Sequence, residues 1–215
     1  MSKIWIAEER ISEKFLDRLG HDIRLSGDLE TAYFIGADGE DYIEQNRKFL
    51  LEFLIHQNKY PIYISFVVYD EQDEEYITFL NENKIEFTLN YLDEKRTYCF
   101  TARIEDSETL TLLLNETYWL PSQNEFYSIS FSDNLLFDLG EVIEWGRKRK
   151  RSLPTFSIET GTTFITIFHD GAGFYLFSNE EKYNLLGKFV SNLPKGTVVT
   201  QINDRIVMSD NIGEE

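Results

Sequence analysis

Residues 61–69 read PIYISFVVY, residues 71–83 read EQDEEYITFLNEN and residues 85–91 read IEFTLNY. In the first stretch Ile62, Ile64, Phe66 and Val68 recur at every second position, the period of a strand. In the last, Ile85, Phe87, Leu89 and Tyr91 alternate with Glu86, Thr88 and Asn90, which predicts a strand with one solvated face. The middle stretch predicts a helix over 71–83. Asp70 can cap it, and Glu71, Asp73, Glu74 and Glu75 crowd the turn where the helix dipole favours negative charge. Tyr76, Ile77 and Leu80 form its buried stripe.

Downstream, Asp93-Glu94-Lys95 reads as a turn into a strand in which Tyr98, Phe100, Ala102 and Ile104 share a face. A helix over 106–118 follows, with Leu110, Leu113, Leu114 and Tyr118 at helical spacing. Tyr127, Ile129 and Phe131 then alternate as a further strand. The order β-α-β-β-α-β predicts an α+β protein whose central unit, residues 60–132, has the split βαβ or ferredoxin-like arrangement, with both helices on one face.

Upstream lies an α/β segment: a strand over 3–7, a helix near 12–19, a strand near 31–35 and a helix over 40–57. In that last helix Tyr42, Phe49, Leu50, Phe53 and Leu54 fall on one side. Residues 133–151 read as a connector. Its apolar part, 135–145, is ambiguous between helix and strand because Gly140 interrupts it, and its run Arg147-Lys148-Arg149-Lys150-Arg151 reads as an exposed loop. Residues 152–215 give a hairpin turning at Asp170-Gly171-Ala172-Gly173. A helix is then opened by the capping box of Ser178 and Glu181, with Leu186, Phe189, Val190 and Leu193 inside it, and a closing hairpin turns about Asn203-Asp204. The expected regions are therefore 1–132, 133–151 and 152–215, with no internal repeat.

Of the 215 residues 42% are hydrophobic, enough for a substantial core, and the formal net charge is −17. That charge disfavours a phosphate backbone or an anionic membrane and favours a basic protein partner. Its plainer reading is solubility alone. Residues 60–132 carry 14 acids against 4 bases, a net of −10. Cys99 is the single cysteine, so neither an intrachain disulfide nor a cysteine-based metal site is available. Charge interrupts the first apolar residues, and no apolar run approaches the roughly 18 residues of a membrane span. Together these features predict a cytoplasmic protein.

Catalytic signatures are sparse. His21, His56 and His169 show no metal-ligand spacing, and only His169, beside Asp170, suits His–acid chemistry; its simpler reading is a polar strand end. Cys99 has Arg103 nearby but no identifiable base to ionise it. Asp93-Glu94-Lys95 matches half of a metal-dependent nuclease pattern, yet it sits in a turn. Phosphate-binding, nucleophile-elbow and zinc-protease motifs are missing, and no cofactor is expected. The leading expectation is an acidic protein-interaction module, an inhibitor or immunity-type protein for a basic partner. Tyr63, Tyr69, Tyr118, Trp119 and Trp145 would be its anchors and Asp73, Glu74 and Glu75 its steering charge. The alternatives are a small hydrolase-like enzyme with a carboxylate or His–acid site, and a ligand-binding regulatory domain.

Overall fold

The computed structural model describes residues 2–19, 23–37, 39–68, 71–92, 97–144 and 146–207. In chain order the elements are β1 (Lys3–Arg10), α1 (Glu13–Leu19), β2 (Arg24–Ser26), β3 (Thr31–Ala37), α2 (Tyr42–Gln57), β4 (Ile62–Val68), α3 (Asp73–Glu82), β5 (Glu86–Tyr91), β6 (Tyr98–Ile104), α4 (Ser107–Thr117) and α5 (Trp119–Ser122). They continue with β7 (Tyr127–Ser130), β8 (Leu135–Glu144), β9 (Arg147–Ser157), β10 (Thr163–Ile167), β11 (Phe174–Ser178), α6 (Leu186–Ser191), β12 (Val198–Ile202) and β13 (Arg205–Ile206). The protein is mixed α+β, and no helix among the described residues is long and apolar enough to cross a membrane.

A ten-stranded sheet, in the order β13-β12-β1-β3-β11-β10-β7-β4-β6-β5, runs through the molecule and takes strands from both sides of residue 132. Its order contains a repeat that the sequence does not display. The segment β4-α3-β5-β6-α4-β7 places its strands as β7-β4-β6-β5, that is last, first, third, second. Strands β3, β10, β11 and β12, joined by α2 and α6, follow the same order, with β1 wedged between β12 and β3. The first unit is inserted into the second between α2 and β10, so no fixed sequence period survives.

Helices α2, α3, α4 and α6 cover one face of the sheet. Phe49, Phe53, Tyr76, Leu80, Leu110, Leu114 and Phe189 pack there on Ile6, Ile35, Ile64, Phe66, Phe100 and Ile129. The opposite face is largely covered as well. Phe15 and Leu19 of α1 and Phe156 of β9 bury Val67, Cys99, Phe164 and Phe177. Phe156, Phe164 and Phe177 stack with centroid spacings of 3.9 and 4.7 Å. The alternating hydrophobics of β4 thus mark one core face, while Ser65 and Val67 between them are buried on the other.

Residues 147–151 are not a loop. They form the start of β9, paired antiparallel with β8 in the small sheet β2-β9-β8, with Leu135 opposite Phe156 and Glu144 opposite Arg147. A strand sends successive side chains to opposite faces, which spaces like charges roughly 7 Å apart on each face. Lys148 also meets Glu141 across the hairpin at 3.1 Å. Gly140 belongs in this strand because a Cβ there would lie 2.4 Å from Leu153 Cδ1.

The capping box is a second correction. Ser178 Oγ accepts from the Glu180 amide in a turn at 3.1 Å, and the helix starts only at Leu186. Glu180 is diverted into an ion pair with Lys59 at 3.0 Å. Asp106, expected as the first residue of the helix, is instead the cap of α4, accepting from the Thr109 and Glu108 amides at 2.8 and 2.9 Å. The N-cap of α3 is Gln72. Asp70, proposed for that role, lies outside the described residues, as do His21 and the Asp93-Glu94-Lys95 turn.

Candidate functional site

The buried side chain of Asn46 organises one end of the sheet. Its Oδ1 accepts from the Ala37 amide at 2.7 Å, and its Nδ2 donates to the Gly171 carbonyl at 3.2 Å. This ties the end of β3, the first half of α2 and the 3-10 turn His169–Gly171 together. Asn124, just beyond α5, accepts from the Asp170 amide at 3.0 Å, so α5 seats beside the same turn. Gly171 (φ 65°) fits between Ile43 of α2 and Ser122 of α5.

On this frame α5 presents Trp119. Leu110, Leu113, Leu114 and Tyr118 fall on the core side of α4 and its continuation, and the next residue turns about 100° away. Trp119 is accordingly 41% exposed while Tyr118 is 1% exposed. Tyr118, expected as an interface anchor, is a core residue whose phenol burial holds neutral, its pKa raised.

The indole Nε1–H of Trp119 donates to the hydroxyl of Tyr76 at 3.1 Å. Burial pushes that phenol up to about 12, opposed by the Trp119 hydrogen bond and reinforced by the carboxylates of Glu116 and Glu75. Tyr76 follows the acidic run Asp73, Glu74 and Glu75 directly in α3, and Glu116 lies near the end of α4, three residues before Trp119. These four carboxylates form no ion pair among the described residues. The hydroxyl that holds the exposed indole is thus within the field of Glu116 and Glu75.

The other expected residues lie elsewhere. Tyr63 belongs to the opposite face of the sheet, in an open groove of about 380 Å³ with Glu86, Arg103 and Asp133. There Arg103 pairs with Glu86 at 3.2 Å and Glu105 at 2.6 Å. Tyr69 and Trp145 lie outside the described residues. Tyr76, Glu116 and Ile43 were not picked out as site residues. Tyr76 reads locally as core, and its bond to Trp119 spans 43 residues of sequence.

Catalytic alternatives gain little. Cys99 is fully buried, which raises its thiol pKa and leaves it unionised. His169 Nδ1 meets Asp170 Oδ2 at 3.1 Å, with both side chains about half exposed. Among the described residues, no group of three His, Cys, Asp or Glu side chains is arranged to hold a metal ion. Comparison of the chain with models of protein families, with curated proteins and with solved structures found no match.

Proposed function

We propose that the protein is a binding module for a basic protein, acting as an inhibitor or immunity-type partner in the cytoplasm. In this reading residues 60–132 form a ferredoxin-like unit, supported by the strand order β7-β4-β6-β5 and its antiparallel neighbours. One observation carries the functional reading: Trp119, 41% exposed, is hydrogen-bonded to Tyr76 of α3, whose Asp73, Glu74 and Glu75 form no ion pair among the described residues. A rigid indole supplies interface area at small entropic cost, and unpaired rim charge accelerates encounter with a partner of opposite sign. The same charge repels nucleic-acid phosphates and anionic lipid.

Affinity capture from the native host at low salt tests the reading. Wild-type chain is compared with Trp119→Ala and with the combined reversal Asp73→Lys, Glu74→Lys, Glu75→Lys. A protein of high pI retained by wild type and lost from both variants supports it. Retention of no basic protein, or equal retention by all three chains, refutes it.

A further inference from the structure

The two ends of the ten-stranded sheet are finished differently. One end is β13, two residues long and too short to template another strand. The other is β5, six residues, paired among the described residues on one side only, with β6. Edge strands are commonly guarded by lysine, proline, a bulge or a covering element. Strand β5 pairs with β6 in unbroken register from Glu86 opposite Arg103 to Tyr91 opposite Tyr98. Its residues 87–91, Phe-Thr-Leu-Asn-Tyr, contain neither proline nor any charge, in a chain that is 27% charged. Leu89 and Tyr91 are 40% and 51% exposed.

The backbone parity of this edge follows from one hydrogen bond. The Leu92 amide donates to the Thr97 carbonyl at 2.9 Å, while the Leu92 carbonyl accepts from the Ser152 amide of β9 at 3.1 Å, so residues 90, 88 and 86 direct their backbone groups toward β6. Phe87, Leu89 and Tyr91 therefore direct their N–H and C=O groups to the open side. The repeated topology shows what such an edge accepts. Strand β10 occupies in its unit the place that β5 occupies in the other, and β10 is covered by the antiparallel strand β7.

We infer that β5 is a self-association edge, pairing antiparallel with β5 of a second copy about a two-fold axis at Leu89. In that register Leu89 faces its own counterpart, Phe87 faces Tyr91 of the other copy, and Thr88 faces Asn90. All outward backbone groups of Phe87, Leu89 and Tyr91 find partners. Apolar side chains meet apolar ones on the helix side of the joined sheet, and polar meet polar on the other. No carboxylate opposes a carboxylate, which is what makes a second copy of so acidic a chain an acceptable occupant. A single strand pair covers less than the roughly 1,200–2,000 Å² of a stable standard-size interface, so the dimer is weak and concentration-dependent. Because each copy carries −17, added salt tightens it.

Sedimentation velocity on the full chain, across protein concentration and at low and high salt, reads the association. Leu89→Pro removes the outward N–H and leaves the β6 ladder intact; Leu89→Lys sets two cations against each other at the axis. Wild type is expected to dimerise in a salt-strengthened manner, with each variant weakening the dimer by roughly tenfold or more in Kd. Should these variants misfold by circular dichroism, Leu89→Cys with a short bis-maleimide supplies a second readout. It is expected to give a covalent dimer, with buried Cys99 unreactive. A chain monomeric up to about 1 mM, a dimer untouched by the variants, or one that loosens with salt overturns the proposal. Pairing of β5 with a strand of another protein in place of a copy does so as well.

Discussion

Trp119 and Tyr76, 43 residues apart in the chain, are joined by a 3.1 Å hydrogen bond that ties an exposed indole to a buried phenol of α3. Tyr76→Phe removes the acceptor and leaves the partly exposed indole N–H to water. The expected cost is about 0.5–1.5 kcal/mol, read as a lower urea midpoint with unchanged m-value.

Alkaline pH attacks the cores on both faces of the sheet through their phenols. Tyr76 and Tyr175 have pKa values pushed up to about 12, chiefly by burial, and Tyr118, Tyr127 and Tyr183 are raised as well. A folded-state pKa above the unfolded value of 10.0 favours the native state fully below pH 10, and that contribution is lost as pH climbs toward 12. Stability should therefore fall steeply between about pH 10 and 12. In a spectrophotometric titration these phenols should ionise only together with the loss of near-UV circular dichroism. Normal titration of all tyrosines near pH 10 without unfolding would contradict the burial described.

The cap of α4 gives the opposite sign. Hydrogen bonds from the Thr109 backbone, then from the Thr109 hydroxyl and the Glu108 backbone, hold the Asp106 carboxyl below its ordinary value. Its stabilisation is present above the unfolded pKa near 4 and is lost as pH falls through the lower folded value. Asp106→Ala should cost about 0.5–2 kcal/mol at neutral pH. The difference from wild type should shrink in acid, as followed by urea denaturation at both pH values.

Packing between the layers can be probed at two positions. Phe164→Ala empties the middle of the Phe156–Phe164–Phe177 stack and should cost about 3–5 kcal/mol. Gly140→Ala drives a Cβ into Leu153 and the Arg24 guanidinium and should cost roughly 1–3 kcal/mol. Calorimetric melting checks both. An unaffected Gly140→Ala would mean that the β8–β9 hairpin leaves more room than the structure allows.

Strands with one apolar face were legible because alternation is local: Ile62 to Val68 and Tyr98 to Ile104 lie where their periods place them. Strand β9 was not, since five consecutive cations carry no alternation and its partner strand is what makes it extended. Gly140 looked like a breaker because close approach by Leu153 is a tertiary fact. The box at Ser178 and Glu181 matched a helix start, but Lys59 and Thr163, distant in sequence, recruit the intervening Glu180. At the candidate site the acids of α3 could be read from the chain. The link of their helix to Trp119 could not, because only the docking of α5 on Tyr76 creates it.

The most direct test is the affinity of Trp119→Ala for the basic protein captured by wild-type chain, measured by titration calorimetry at low and raised salt. If the α3–α5 patch is the binding surface, loss of the indole should raise Kd by roughly 30-fold or more, about 2 kcal/mol. Wild-type binding should itself weaken as salt rises from about 50 to 300 mM. Equal affinity of variant and wild type, or binding indifferent to salt, would contradict the assignment of this surface.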